Sequence, residues 1–189
     1  AVKAFGGQVV MTSPNHNTGT DRIAEVAKDM DVDIVVNIQG DEPLILPEII
    51  DEITTELVDD NNVVMTTGCS IIKDKDMLTD SNVVKVVFDK NNYALYFSRS
   101  LIPYPRKTGH TEVYEHIGIY AYRKSFLMKY ISIDNTPLAL TESLEQLKVL
   151  ENRYKIKVVN TKFPYNALSV DTIEDLEKVR RIMEETMKK

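Results

Sequence analysis

One cysteine, Cys69, is the whole thiol content of this 189-residue chain. A single thiol excludes an internal disulfide and any thiolate metal cage, and the expected home is a reducing cytoplasm. Long apolar runs are missing as well. Nothing approaches the ~18 uncharged residues of a membrane span, and the apolar stretch from Val83 to Phe88 is short and interrupted by Lys85. The opening residues carry no apolar segment of secretory type. There is no excess of positive charge, since 29 Asp and Glu against 23 Lys and Arg leave a net −6. A protein that tracks nucleic-acid phosphates is expected to present a basic face, so neither a nucleic acid nor a membrane is an expected partner. A nucleotide site remains open to this composition, because a few local cations and a metal ion satisfy one triphosphate. Internal repeats, low-complexity tracts, a serine-nucleophile motif, HExxH, Cys/His metal spacing and a P-loop are all lacking.

What is present is an alternation of strand-like and helix-like segments in one domain spanning residues 1–189. Ala1–Phe5 reads as a last helical turn ending at Gly6-Gly7. Gln8–Thr12 reads as a short buried strand, and Thr18–Met30 as a helix with Ile23, Val26, Ala27 and Met30 on one face. Thr18 with Asp21 has the spacing of a capping box. Asp33–Gln39 is a nearly continuous apolar run, the pattern of a strand covered on both faces. A helix is expected from Pro47, with Ile50, Ile53, Leu57 and Val58 inward. Further strands are expected at Val63–Ile72, Val83–Phe88, Tyr93–Ser98, His116–Tyr122 and Lys155–Thr161. Thr136-Pro137 starts a helix carrying Leu140, Leu144 and Leu147, and Thr172–Met187 is the final one, with Leu176, Val179 and Met183 inside. This order predicts an α/β fold with a mostly parallel sheet between helices, interrupted by a mixed-sheet insertion over residues 93–122.

Ligands of open α/β sheets bind outside the carboxyl ends of the strands, so the polar clusters that follow apolar runs are the candidates. The first is Asn37–Pro43, where Asp41 beside Gly40 is placed to hold a hard cation. Spacing alone favours a plain polar turn there. The second is Leu168–Thr172, where Asp171 is either a metal ligand or an N-cap with Glu174 three residues on, and the cap is the simpler reading. The third is Thr18–Arg22, a loop-to-helix junction whose free N–H groups suit a base or an anion, or simply a capped helix start. The fourth is split. His116 and Tyr120 share one strand face, and Glu142, Glu145 and Gln146 share one face of the expected helix. Together they suit a polyhydroxyl ligand, against a satisfied core histidine and a solvated helix face.

Taken in order, the phrases GTDRIAEV, VVNIQGDEPLI, NVVKVVFD, YALYFSRSLIP, HIGIYAYR, LEQLKVL and VDTIEDLEKVR resemble the CMP-Kdo synthetase (3-deoxy-manno-octulosonate cytidylyltransferase) family along nearly the whole chain. The resemblance implies a three-layer, Rossmann-like nucleotide-diphospho-sugar transferase fold. It implies transfer of a cytidylyl group from CTP to Kdo, or to a close analogue such as an 8-amino-octulosonate, for lipopolysaccharide-type glycans. It also implies a homodimer and Mg²⁺ held by Asp41 of QGDEP and Asp171 of VDT. Such ions neutralise charge and orient an in-line displacement. Gln39, Arg99, Arg106, His116, Tyr120, Glu145 and Gln146 then fall on sugar-side positions, with Arg106 matched to the sugar carboxylate. Gly19, Thr20 and Arg22 fall on the stretch that reads the cytosine end.

The family pattern also opens with a strand and a glycine- and arginine-rich loop that cradle the triphosphate, and no such loop is found here. The resemblance therefore leads to the expectation of a further βα unit, roughly 60 residues, ahead of Ala1. On that expectation the 189-residue stretch alone is a ligand-binding or dimerising fragment that turns over poorly.

Overall fold

The computed structural model describes residues 1–16, 18–107, 109–165, 168–170 and 172–186. Val2–Phe5 forms a 3-10 turn that stops at Gly6, whose φ of 82° is the left-handed conformation glycine adopts without strain. Helix α1 (Gly19–Lys28) follows, and its Thr18 side chain accepts the Asp21 amide at 3.1 Å, as the capping spacing requires. Strand β1 (Ile34–Asn37) leads through a turn to α2 (Pro47–Asp59), with proline in the first helical turn. Then come β2 (Met65–Ile71), β3 (Lys85–Phe88), β4 (Ala94–Ser98) and the long β5 (Tyr114–Arg123). Helices α3 (Lys124–Tyr130), α4 (Pro137–Glu142) and α5 (Leu147–Glu151) precede β6 (Lys157–Asn160) and α6 (Ile173–Thr186).

The strands form one six-stranded sheet in the order β4-β3-β5-β2-β6, with β1 also on β5. Strands β1 and β3 lie along the same edge of β5, β3 at residues 114–115 and β1 at residues 120–123, while β2 takes the other edge. The α/β class and its helix layers on both faces are as expected. The pairing is more antiparallel than expected: β1, β2, β3 and β6 run one way, but β5 runs against them from the middle, so β2·β6 is the parallel ladder among the described residues.

Two cores fill the two faces. On one, Ile49, Ile53 and Leu57 of α2 pack on Ile117, Ile119 and Ala121 of β5. Gly68 makes this approach possible, since a Cβ there would stand 3.0 Å from Ile53 Cδ1. On the other, α1, α3 and α5 cover Met65, Cys69, Phe97 and Tyr122. The period-2 alternation of β5 thus serves both faces. Each fully buried aliphatic side chain contributes about 1.5–3 kcal/mol.

Four expectations need correction. Gln8–Thr12 is not a strand: Val9, Val10 and Met11 are exposed and unpaired. Apolar residues give strand propensity, but a strand persists only when its backbone finds a ladder. Val10 instead faces β1 across an apolar groove of about 540 Å³ lined by Ile23, Val26, Ile34 and Val36. The inward stripe of α2 is Ile49, Ile53 and Leu57, while Val58 is 65% exposed. In α6, Val179 is buried while Met183 is 46% exposed. Finally, the helix expected from Thr136 through Leu147 is broken. Ser143 takes φ 53° and ends α4, so Leu140 is exposed and Leu144 and Leu147 alone reach the core.

Candidate functional site

The break at Ser143 decides where the carboxylates go. Glu142, Glu145 and Gln146 do not share a helix face, because the left-handed residue redirects the chain between them. Glu142 turns to β4, where its Oε1 accepts the Ser98 hydroxyl at 2.7 Å and its Oε2 accepts the Arg99 amide at 3.0 Å. Glu145 turns to α1 and α3, where its Oε2 accepts from Thr20 Oγ1 and from the Tyr130 hydroxyl, both at 3.3 Å.

Around Glu145 an aromatic row crosses the sheet. His116 lies tilted against Tyr120 at 5.4 Å, Tyr120 stacks on Tyr122 at 6.0 Å, and Tyr122 meets Tyr130 edge-on at 5.8 Å, with Phe97 edge-on to His116 at 5.0 Å. Lys148 lies over the Tyr130 ring at 4.1 Å, a cation–π contact that keeps positive charge beside Glu145. Burial, followed by the charge of nearby groups such as Glu145, holds the Tyr120 phenol well above its usual range. For Tyr122, hydrogen bonding with Thr20 and Asn37 offsets part of the same effect. Burial pushes His116 down to about 3, so its imidazole is neutral at physiological pH. Its tautomer follows from Thr67. The single Thr67 hydroxyl proton goes to the carbonyl of Ile117 or Ile119, so His116 Nε2 donates to Thr67 Oγ1 at 2.9 Å and Nδ1 remains an acceptor. Gln146, directly after Glu145 in the chain, is 4% exposed, and its Nε2 is buried with no hydrogen-bond partner. Buried amide donors without partners are rare and costly.

The turn after β1 is the second part. Gln39, Gly40 and Asp41 are exposed at the carboxyl end of β1, and Gln39 Nε2 donates to Asn37 Oδ1 at 3.3 Å. Asp41 makes no side-chain contact among the described residues, while its carbonyl accepts the Val170 amide at 2.8 Å. That bond draws the exit toward α6 against the QGDEP turn. Asp171 itself lies outside the described residues. The cap expected of Asp171 with Glu174 is supplied one residue later, where Thr172 Oγ1 accepts the Asp175 amide at 3.2 Å and Asp175 Oδ2 accepts the Thr172 amide at 3.2 Å. Among the described residues no three His, Cys, Asp or Glu side chains converge as a metal cage. A free carboxylate at a strand end still suits a hard cation that takes its other ligands from phosphates.

The arginines divide. Arg99 Nε donates to the Glu142 carbonyl at 2.8 Å and Nη1 to the Ser81 carbonyl at 2.9 Å. Beside it Lys85, fully buried, donates to the carbonyls of Asp80, Val83 and Arg99 at 2.6, 2.7 and 3.3 Å. Arg22 likewise clamps Thr12 Oγ1 and the carbonyls of Ser13 and His16 beside the exposed Gly19. Arg106 stands exposed on the loop after β4 with an uncommitted guanidinium among the described residues. Thus Thr20, Glu145, Tyr120 and His116 are joined through Tyr130 and Tyr122, with Gln146 following Glu145 in the chain, and Gln39 with Asp41 lies in the turn after Asn37, which pairs with Tyr120. Tyr122, Tyr130, Thr67 and Lys148 were missed by sequence reasoning. Tyr122 was discoverable, since it lies on the same strand face as His116 and Tyr120.

The chain is similar to known proteins along nearly its whole length. The sequence pattern of the cytidylyltransferase family matches residues 1–156. A 3-deoxy-manno-octulosonate cytidylyltransferase of Fusobacterium nucleatum is 49% identical over 182 residues, which is 96% of this chain and 74% of that protein. Its counterpart in Geobacter metallireducens is 50% identical over 190 residues, 95% of this chain and 74% of that protein. This chain belongs to the 3-deoxy-manno-octulosonate cytidylyltransferase family. It is accordingly a nucleotidyltransferase by descent. A solved CMP:2-keto-3-deoxy-manno-octonic acid synthetase in complex with CTP superposes with a TM-score of 0.92 at 38% identity, covering 98% of this chain and 76% of that one. No helix of the described residues is long and apolar enough to cross a membrane.

Proposed function

We propose that the protein transfers the cytidylyl group of CTP to the anomeric hydroxyl of 3-deoxy-manno-octulosonate, releasing pyrophosphate, as a cytoplasmic step that supplies lipopolysaccharide-type glycans. The observation that supports the sugar side is the buried, unpartnered amide of Gln146 directly after Glu145, whose carboxylate links through Tyr130 and Tyr122 to Tyr120 and His116. Neutral His116 offers Nδ1 to a sugar hydroxyl, Gln146 donates to another oxygen, and Glu145 accepts a third hydroxyl while Thr20 and Tyr130 hold it in place. Arg106 grips the sugar carboxylate in two places. Arg99 takes part through the loop it anchors, which carries Arg106. At the other end the exposed Gly19 borders the base, with Arg22 fixing the loop beside it and Gln39 bordering the nucleotide, while Thr20 is committed to Glu145.

Asp41 and Asp171 would hold Mg²⁺. Bound there, the ion supplies charge neutralisation at the reacting phosphorus. The bond from phosphorus to the sugar oxygen forms as the bond to the pyrophosphate oxygen breaks, and the hydroxyl proton passes to solvent water. The chain's own part is to align the two groups, which needs no covalent intermediate. The test is pyrophosphate release from CTP, Kdo and Mg²⁺. Asp41→Asn and Asp171→Asn should each abolish it with thermal stability retained, and normal turnover by either at saturating Mg²⁺ removes that residue from the site.

A homodimer through Tyr93–Tyr104 belongs to the same proposal, supported by Leu95 and Tyr104, which are 61% and 84% exposed. Sedimentation at micromolar concentration should give a dimer, and monomer alone rejects it.

A further inference from the structure

The QGDEP turn contains a second carboxylate whose surroundings differ from those of Asp41. Asp41 is exposed and makes no side-chain contact among the described residues, whereas Glu42 is half-buried and touches three separate stretches of chain. Within its own turn, the Glu42 amide donates to the Gln39 carbonyl at 3.3 Å and the Glu42 carbonyl accepts the Ile45 amide at 3.4 Å. Its side chain crosses to β5, where Oε1 lies against Gly118: a Cβ at that position would stand 3.3 Å from it. Its Oε2 accepts the Tyr165 hydroxyl at 3.5 Å, from the segment that follows β6.

Gly118 is no ordinary strand residue. Opposite it the β2·β5 register slips between Thr67 and Gly68, where Thr67 pairs with Tyr120 and Gly68 with Ile117. The two residues left over, Gly118 and Ile119, form a bulge. Bulges re-aim the local chain, and a glycine within one lets another group approach the backbone closely. The Thr67 hydroxyl, 3.1 Å from the Ile117 carbonyl and 2.8 Å from that of Ile119, ties the bulge down by donating to one of them. The notch that receives Glu42 is therefore built by the sheet itself.

We propose that Glu42 is a positioning residue for the reaction: seated against the Gly118 bulge and bonded to Tyr165, it fixes the turn from which Asp41 faces the Val170 segment. The Asp41 carbonyl to Val170 amide bond, at 2.8 Å, is the register that this clamp preserves. That bond sets how the QGDEP turn and the Val170 segment approach each other. The role of the clamp in cation binding rests on the reading of Asp41 given above, but its effect on register does not. Gly118 and Tyr165 thereby acquire a part in the reaction without touching substrate.

Two readouts separate the clamp from the cation reading. The first is deuterium exchange at the Val170 amide, which reports the register directly. The second is binding of Mn²⁺ alone, followed by its paramagnetic signal, which requires no turnover. Glu42→Ala and Gly118→Ala should each speed Val170 exchange about tenfold and weaken Mn²⁺ binding about tenfold, the usual loss when the support of a metal ligand is removed. Glu42→Gln keeps the shape and still accepts from Tyr165, so it should stay within about twofold of the parent in both. If Glu42→Gln fails as badly as Glu42→Ala, the side chain acts by its charge and the proposal is overturned. Unchanged Val170 exchange in Glu42→Ala overturns it as well. Should Glu42→Ala not fold, Tyr165→Phe removes one hydroxyl only, and it must speed Val170 exchange for the clamp to stand. Asp41→Asn is the control for the other reading: unaltered Mn²⁺ affinity there rejects Asp41 as a ligand, while the exchange data still decide the clamp.

Discussion

The region around Arg99 and the region around Gln146 are built from the same kinds of side chain and lie on either side of Ser143, yet they end in opposite states. Lys85 gives all three of its donors to backbone carbonyls, Arg99 gives Nε and Nη1, and Glu142 accepts from Ser98 and from a backbone amide. Across the break, Gln146 keeps a buried donor with no acceptor and His116 keeps Nδ1 open. A polar cluster whose bonds are filled internally rigidifies a scaffold. One that leaves buried groups unfilled is carrying a cost, and binding a ligand relieves it. Charge and burial alone do not tell the two apart; counting partners does.

The sharpest way to break this contrast is Gln146→Leu. It should lower kcat/KM for the sugar acid about 100-fold, the scale of one lost site donor, while leaving the melting temperature unchanged or raised. A variant that loses stability instead, with substrate affinity kept, would place Gln146 in the scaffold. Lys85→Met is the mirror experiment. It strands carbonyls that Lys85 had satisfied and should cost about 2 kcal/mol of stability. Below the melting transition its KM for the sugar acid should stay within about twofold of the parent, and a large KM increase would mean the Arg99 region touches substrate.

A smaller effect is expected at Thr18, which caps α1 at the edge of the open region. Thr18→Ala should lose about 1 kcal/mol in chemical denaturation, and no loss would show that the cap is replaced by solvent.

The least effect is predicted for pH, because β5 carries two opposing shifts on adjacent residues. Glu115, 7% exposed, is raised from 4.5 to about 7 by burial, and His116 is lowered from 6.5 to about 3 by the same cause. For His116 the folded value is the lower one, so its contribution is full above pH 6.5 and is lost as pH falls toward 3. For Glu115 the folded value is the higher one, so its contribution is full below pH 4.5 and is lost as pH rises toward 7. Between pH 4.5 and 6.5 the two slopes oppose each other. The urea midpoint should be nearly flat there for the parent and should climb with pH in Glu115→Gln. A flat profile in that variant would mean that His116 titrates normally.

Much of the architecture was legible because it rests on local pattern. The capping spacing at Thr18, the proline at the start of α2 and the apolar runs of β1, β2 and β5 each carry their own signal. What escaped depends on partners far along the chain. Gln8–Thr12 has strand composition but no ladder, and Ser143 leaves the helix although nothing in its neighbourhood in sequence demands it. Lys85 looks like an interruption in an apolar run until the carbonyls of Asp80, Val83 and Arg99 surround it. The site divides similarly. Its residue types were visible by their place after apolar strands, and their roles came from family resemblance. The sharing of Glu142 and Glu145 between two regions required the backbone.

The left-handed residue at Ser143 has a mechanical meaning. It sends the two carboxylates of Glu142–Glu145 apart, one gripping the root of the Arg106 loop and the other held between α1 and α3. Four residues of backbone therefore join the loop after β4 to the contact between α1 and α3, and a substitution that kept the helix running straight through position 143 would disturb both contacts at once.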